Sequence, residues 1–457
     1  MKINKRIIRV LICISLLFLV LITYLLWFNM FKAKEISTNS YNKRQWESEQ
    51  RVIRGSIYSS EQVLLAETEV QGDARIRKYP RKNLYSHIIG YCSQVYGKTQ
   101  LEMAYDNELV GKGNINLSIN ELSKGNNLYL TIIDELQEYA YDRLDGRNGA
   151  IVAIEPTTGQ ILAMVSLPDF DPNKIEDNWS SMMEDEKSPF LARATQGLYP
   201  PGSTYKIVTA AGVYDNGMTS ETFDDNGKFE KGDVTVYNYN KESFGKIDIK
   251  EAFEVSSNYV FCTLGYEMGA DKVKEEAEKF GINKSFDFDI PVSQSQIQYK
   301  KMTDLDGALV SIGQGGLVMT PLQVAMMASA VANGGKMMKP YLVEQIKTAN
   351  DITIGQAKPT VLYDSIGLSC AEYIQDMMIG VVEDGTGKNA QIKGISVAGK
   401  TGTAETDSGK DHAWFVGYAP ADNPKICVAV VLENDGSSGG STACPIARDI
   451  IKKFLSE

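Results

Sequence analysis

The hydrophobic pattern divides the chain at once. Val10 to Phe31 is apolar apart from Ser15, Thr23 and Asn29, about the length that spans a bilayer. Lys2, Lys5, Arg6 and Arg9 precede it, which predicts a cytoplasmic tail over 1–9, an anchor over 10–31 and an exported body. Tyr24, Trp27, Phe28 and Phe31 suit the outer interface. A cleaved signal peptide would have a shorter apolar core and a small-x-small site after it. Here Phe-Lys-Ala-Lys-Glu follows, so the anchor is expected to remain. From Lys32 to Asn126 the chain is polar, with few long apolar runs, and reads as a module of its own.

The texture changes at Asn127. Leu128-Tyr-Leu-Thr-Ile-Ile reads as a strand that leads into a helix starting near Asp134 with its own N-cap. Gly149-Ala-Ile-Val-Ala-Ile-Glu and Gln160-Ile-Leu-Ala-Met-Val-Ser flank a Pro-Thr-Thr-Gly turn, hence a hairpin. Three more strand signals follow near the end, at Ile395–Ala398, Ala413–Tyr418 and Ile426–Leu432, and Ala443 to Leu455 reads as a closing helix. The stretch between these strand groups reads as mostly helical. Strands from both ends of one region with helices between them predict an α+β domain over 127–457, an antiparallel sheet flanked by helices.

Composition narrows the function. The 457 residues are 43% hydrophobic and 23% charged, ordinary for a globular chain, with a net charge of −11. An acidic body argues against nucleic acid as a partner. The six cysteines, Cys13, Cys92, Cys262, Cys370, Cys427 and Cys444, form no C-x-x-C pair; Cys13 lies in the apolar span, and most of them read as free, small buried hydrophobes. No His/Cys cluster suggests a metal, and no cofactor is implied.

The candidate chemistry sits at Ser203-Thr-Tyr-Lys206. Pro200-Pro-Gly places a turn before it, and Ile-Val-Thr-Ala-Ala starts an apolar helix after it. Three residues are nearly one helical turn, so Ser203 and Lys206 face the same way. A serine hydroxyl needs a nearby base to become a nucleophile, and a lysine with a depressed pKa can be that base. The chain has only two histidines, His87 and His412, so a histidine triad has few candidates. S-x-x-K also occurs at Ser40 and Ser243. S-x-N occurs at Ser37, Ser40, Ser118 and Ser256, but only Ser256-Ser-Asn258 lies downstream of Ser203. Lys400-Thr401-Gly402 occurs once, continued by Thr403. The information lies in the order S-x-x-K, S-x-N, K-T-G.

That ordered set resembles the penicillin-recognising serine acyltransferases. Longer stretches are similar to class B penicillin-binding proteins: Gly149 to Met164, Pro168-Asp-Phe-Asp-Pro-Asn, Gly313-Gln-Gly, Thr320-Pro-Leu-Gln and His412-Ala-Trp-Phe-Val-Gly-Tyr-Ala-Pro. In the polar module, Arg54-Gly-Ser-Ile-Tyr, Tyr79-Pro80, His87-Ile-Ile-Gly-Tyr and Leu101-Glu-x-x-Tyr-Asp resemble the pedestal of that class. Two departures stand there: Ser59-Ser-Glu-Gln replaces the usual Asp-Arg-Asn-Gly, and Gln100 replaces a Gly. The resemblance implies a five-stranded antiparallel sheet flanked by helices, after a small elongated pedestal over 32–126 and a single membrane helix.

It also implies acyl transfer on peptidoglycan stem peptides, with covalent inhibition by β-lactams. Ser203 would be the nucleophile and Lys206 its base. Ser256 and Lys400 would relay the proton to the leaving D-alanine, and Asn258 would orient Lys206 and bind the substrate backbone. Thr401, Gly402 and Thr403 would line the carboxylate site, and the backbone N–H groups of Ser203 and Thr403 would form the oxyanion hole. The rival readings are a membrane-anchored β-lactamase and a catalytically silent scaffold. The E-x-x-L-N glutamate of class A β-lactamases is missing between Asn258 and Lys400, and all transpeptidase residues are present. A β-lactam sensor would need a signalling module, which about nine residues of tail do not supply. The roughly 95 residues between anchor and catalytic domain are too few for a glycosyltransferase, so a separate glycan polymerase of the SEDS type is the implied partner.

Overall fold

A computed structural model describes residues 5–31, 52–72, 74–111, 123–406 and 408–456. Helix α1 (Lys5–Phe31) carries an apolar window from Ile8 to Leu25, long enough to cross a membrane, none of which is buried in the protein. Tyr24 stacks on Phe28 near its end. The S-x-x-K match at Ser40 and the S-x-N matches at Ser37, Ser40 and Ser118 lie outside the described residues.

The N-terminal module contributes strands β1 (Ile57–Tyr58), β2 (Leu64–Gln71) and β3 (Ala74–Lys78) to a six-stranded sheet. Strand β4 (Asn127–Leu130) lies in the middle of that sheet, between β1 and Val343–Lys347. The strand expected to open the second domain is therefore shared with the first. Three of the four pedestal-like segments meet in one buried ion network, while His87 reaches Pro168 O at 3.1 Å. Arg54 Nε and Arg77 Nε reach the two oxygens of Glu102 at 2.6 and 2.7 Å, and Arg54 and Lys98 both reach Asp106 at 2.6 Å. Tyr79 adds its hydroxyl to Glu102. At both departures from the family pattern a glutamine stands in the left-handed region, Gln62 at φ 64° and Gln100 at φ 49°, where a glycine would carry no steric cost.

The second region begins with α2 (Asp134–Leu144), whose N-cap position is Ile133, not a local polar residue. The Asp134 N–H donates instead to Glu61 Oε2 at 2.6 Å, so the cap comes from the N-terminal module. Then follow β5 (Gly149–Ile154), β6 (Ile161–Leu167), α3 (Lys206–Asp215), α4 (Ile249–Glu254), α5 (Asn258–Met268), α6 (Pro321–Ala332), α7 (Leu368–Glu383), β7 (Ala398–Ala404), β8 (His412–Ala419), β9 (Ile426–Leu432) and α8 (Ala443–Leu455). The five strands form one antiparallel sheet in the order β6-β5-β9-β8-β7, with β7 at an edge. Alternate residues of each strand enter different cores. Val152, Trp414 and Val431 pack with α3, α5 and α6, whereas Ile151, Phe415 and Val430 pack with α2 and α8. Both faces are covered, which is why these strands read as continuous apolar runs.

Two expectations shift. The strand signalled at Ile395–Ala398 begins at Ala398 and runs through Lys400-Thr-Gly-Thr. The stretch expected to be mostly helical also holds several antiparallel ribbons, among them Thr222–Asp225 with Gly245–Asp248 and Lys228–Lys231 with Val234–Tyr237. Their strands are short and polar, and no apolar run announces them.

Candidate active site

Ser203 lies in a 3-10 turn, Gly202–Tyr205, that runs into α3 at Lys206. Three residues complete one turn of that tighter helix, so the two side chains share a face. Gly202 has φ 54°, and a Cβ there would come within 2.7 Å of Thr403 O. Edge strand β7 is thus pressed onto the Ser203 turn. The Gly202 N–H donates to Gly313 O at 3.0 Å, and a Cβ on Gly313 would meet Gly202 O at 2.0 Å. Gly313-Gln-Gly is a backbone brace under the turn. Trp414 Nε1 ties the same turn to β8 through Pro200 O at 3.1 Å.

Ser203 is half-buried, whereas Lys206 one turn on is fully buried. Lys206 Nζ donates to Ser256 O at 2.7 Å and to Asn258 Oδ1 at 2.8 Å, and lies 3.2 Å from Ser256 Oγ. Lys400 projects from β7 on the face toward the helices and is also fully buried, its Nζ 3.0 Å from Ser256 Oγ. The Ser256 hydroxyl therefore stands between two buried amines. Burial pushes the Lys206 amine well below its ordinary pKa, and the nearby positive charge of Lys400 adds to the push. Burial lowers Lys400 to about 7. Phe261 and Phe253 form an apolar floor, each ring 5.4 Å from one of the two ammonium nitrogens.

A neutral Lys206 has two N–H donors and one lone pair. Ser256 O and Asn258 Oδ1 accept the two donors, which leaves the lone pair for a hydroxyl proton. Asn258 is the first residue of α5 and its Nδ2 also donates to Tyr237 O at 2.9 Å, so its amide cannot turn over. Gly402 packs on the Ser203 turn, where a Cβ would meet Pro201 O at 3.0 Å. Thr401 is buried on the other face of β7, its Oγ1 2.6 Å from Thr386 Oγ1. Thr403 is half-buried, and its Oγ1 accepts from the Gly439 N–H at 3.5 Å.

The structure thus gathers Lys206, Ser256, Asn258 and Lys400 around one point, with Ser203 one helical turn before Lys206 and Thr401, Gly402 and Thr403 on the adjoining strand. The remaining S-x-x-K match does not compete. Ser243 Oγ donates to Asp225 O at 2.8 Å, and Lys246 lies on a strand rather than one helical turn away. His412 is packed edge-on against Tyr199, and its Nδ1 accepts from the Asn434 N–H, in keeping with a structural residue. Sequence reasoning missed Thr386, whose N–H donates to Glu254 O and whose hydroxyl meets Thr401. It also missed Asp225 and Asn238, buried beside the start of α5. Thr386 stands in Gly-Thr-Gly, a signal visible in the sequence but without meaning until α7 delivers it to β7.

This architecture, with S-x-x-K at a helix start, S-x-N at a helix junction and K-T-G on an edge strand, defines a penicillin-recognising serine acyltransferase. The penicillin binding protein transpeptidase domain profile matches residues 149–452, and the penicillin binding protein A dimerisation domain profile matches residues 54–125. The peptidoglycan D,D-transpeptidase PbpA of Mycolicibacterium smegmatis is 33% identical, over 99% of each chain. The peptidoglycan D,D-transpeptidase MrdA of Acinetobacter baumannii is 33% identical over 83% of this chain and 66% of its own. The ceftriaxone acyl-enzyme of penicillin-binding protein A from M. tuberculosis superposes with a TM-score of 0.84 at 30% identity, over 89% of this chain and 99% of that one. The chain belongs to the penicillin-binding protein transpeptidase family, in its class B branch.

Proposed function

We propose that the protein is a peptidoglycan D,D-transpeptidase that works through an acyl-enzyme on Ser203. The observation that carries this reading is the pair of buried lysines meeting at Ser256 Oγ, 3.2 and 3.0 Å away. Neutral Lys206 takes the Ser203 proton as Oγ attacks the carbonyl between the two terminal D-alanines. The tetrahedral oxyanion receives the N–H groups of Ser203 and Thr403; losing one such donor typically costs about 2.7–4 kcal/mol of barrier. The proton passes from Lys206 by way of Ser256, with Lys400 beside it, to the departing D-alanine amine. An amine from a neighbouring stem peptide then attacks the ester, gives up its proton by the reverse path and leaves the cross-link. Thr401, Gly402, Thr403 and the Lys400 amine hold the terminal carboxylate, and the second N–H of Asn258 Nδ2 holds the substrate backbone.

In this reading residues 1–9 are cytoplasmic, α1 crosses the membrane and the catalytic domain over 127–457 lies outside. The span and the pedestal over 32–126 are the surfaces offered to a separate glycan polymerase of the SEDS type.

Detergent-solubilised full-length protein is expected to form a long-lived adduct with labelled penicillin that maps to Ser203, and Ser203→Ala is expected to form none. An adduct that survives the substitution overturns the nucleophile. Rapid release of hydrolysed drug by the wild type overturns the transpeptidase in favour of a β-lactamase.

A further inference from the structure

Helix α5 begins at Asn258 with backbone N–H groups that the helix itself cannot satisfy. Asn238 Oδ1 accepts two of them, from Asn258 at 2.8 Å and Tyr259 at 3.0 Å, and Ser257 Oγ accepts the next, from Val260 at 3.1 Å. Both caps are gathered by one carboxylate. Asp225 accepts from Ser257 Oγ at 2.6 Å, from Asn238 Nδ2 at 3.0 and 2.9 Å, and from the Gly227 N–H at 2.7 Å. Asp225, Asn238 and Ser257 are 1%, 3% and 0% exposed, so water does not compete for these bonds. One residue upstream, Ser256 sits at φ 62°, a left-handed conformation that a serine holds only when its surroundings impose it. The imposing side chains come from the polar ribbons over 222–248, which carry no motif but the non-competing S-x-x-K match at Ser243.

We propose that Asp225 and Asn238 are positioning residues for acyl transfer, clamping Ser256 and Asn258 onto Lys206. The inference rests on the Ser203–Lys206 reading above. The groups that act on Lys206 are Lys400 from β7, which disfavours its proton, and Asp225 from the ribbons and Cys262 from α5, which favour it. A carboxylate near an amine stabilises its protonated form, so removing the charge leaves Lys206 neutral to lower pH.

The test is the rate of labelled-penicillin acylation against pH, with thermal unfolding alongside, on full-length wild type, Asp225→Asn and Asn238→Ala. Asp225→Asn should move the rise in rate down by about one pH unit. Asn238→Ala should leave that midpoint in place and lower the plateau by on the order of ten- to a hundredfold, the effect of a displaced catalytic group. A wild-type midpoint in Asp225→Asn overturns the charge role, and a plateau within about twofold of wild type in Asn238→Ala overturns the clamp, against the losses expected from misplacement. Should Asp225→Asn not fold, Asp225→Ser removes the charge with a smaller polar side chain, and a wild-type midpoint in it is equally contrary. Should Asn238→Ala not fold, Ser257→Ala removes one strut of the same clamp, and an unchanged plateau there is equally contrary. A wild type without a Ser203 adduct refutes the underlying reading instead.

Discussion

The molecule buries charge in two places and treats it in opposite ways. In the pedestal, Arg54 and Arg77 meet Glu102 at 2.6 and 2.7 Å, and Glu102 is fully buried. Burial alone would push the Glu102 carboxyl up, but the Arg77 and Arg54 guanidiniums outweigh it and hold it below the usual range. Each ion is locked in its charged form. In the catalytic region two cations, Lys206 and Lys400, are buried with no carboxylate within ion-pair distance among the described residues, and both are driven toward the neutral amine. In the pedestal complementary charge outweighs burial; at the lysines burial prevails, and Lys400 adds to it at Lys206. The same low-dielectric interior serves both ends, and the sign of the neighbour differs.

Lys206→Met is the sharpest way to break that contrast. It removes the base and keeps apolar bulk, so acylation should fall on the order of 10²–10⁴-fold, while the thermal midpoint should not drop. A destabilised Lys206→Met protein would mean that the amine is structural after all. Glu102→Gln should do the reverse. Arg54 and Arg77 lose their shared anion inside the protein, at a cost of about 3–5 kcal/mol in denaturant unfolding, while acylation per folded molecule is retained. A loss of acylation without a loss of stability would dissolve the distinction.

A subtler difference lies in pH. Lys400 titrates near 7 when folded and near about 10.4 when unfolded. Between those values the unfolded chain binds the extra proton, so wild-type stability should rise with pH across that window. Lys400→Met should lose the Lys400 share of that rise and keep the share from Lys206. For Glu102, whose folded value is depressed, stability is present above the unfolded carboxyl value and is lost as pH falls through the folded one. The smallest effect belongs to the pedestal backbone. Gln62→Gly and Gln100→Gly relieve left-handed strain but free the unfolded chain, for a net gain of up to about 1 kcal/mol each in thermal unfolding. A loss would show that these side chains hold contacts worth more than the strain.

The same contrast explains what could be read in advance. Ser203 and Lys206 are legible because their relation is local, one turn of helix. The strand pattern at Gly149–Ile154 and Ile426–Leu432 is legible because both faces are apolar. The β7 boundary is not, because Lys400 and Thr401 look like surface residues and only the assembled sheet buries them. The cap of α2 escaped because Glu61 lies far upstream in the other module. Asp225 and Asn238 escaped for the same reason: their partners at Ser257 and Asn258 lie at long sequence separation, on polar ribbons without a periodic signal. Motif order pointed to the candidate reacting groups, but the residues packed around them are known only from tertiary contact.

The central claim is that burial and Lys400 make Lys206 a neutral base at ordinary pH. The pH dependence of Ser203 acylation by labelled penicillin in the full-length protein tests it most directly. The account predicts a rise in rate with a base midpoint well below that of free lysine, about 10.4. A midpoint at the free-lysine value would contradict it.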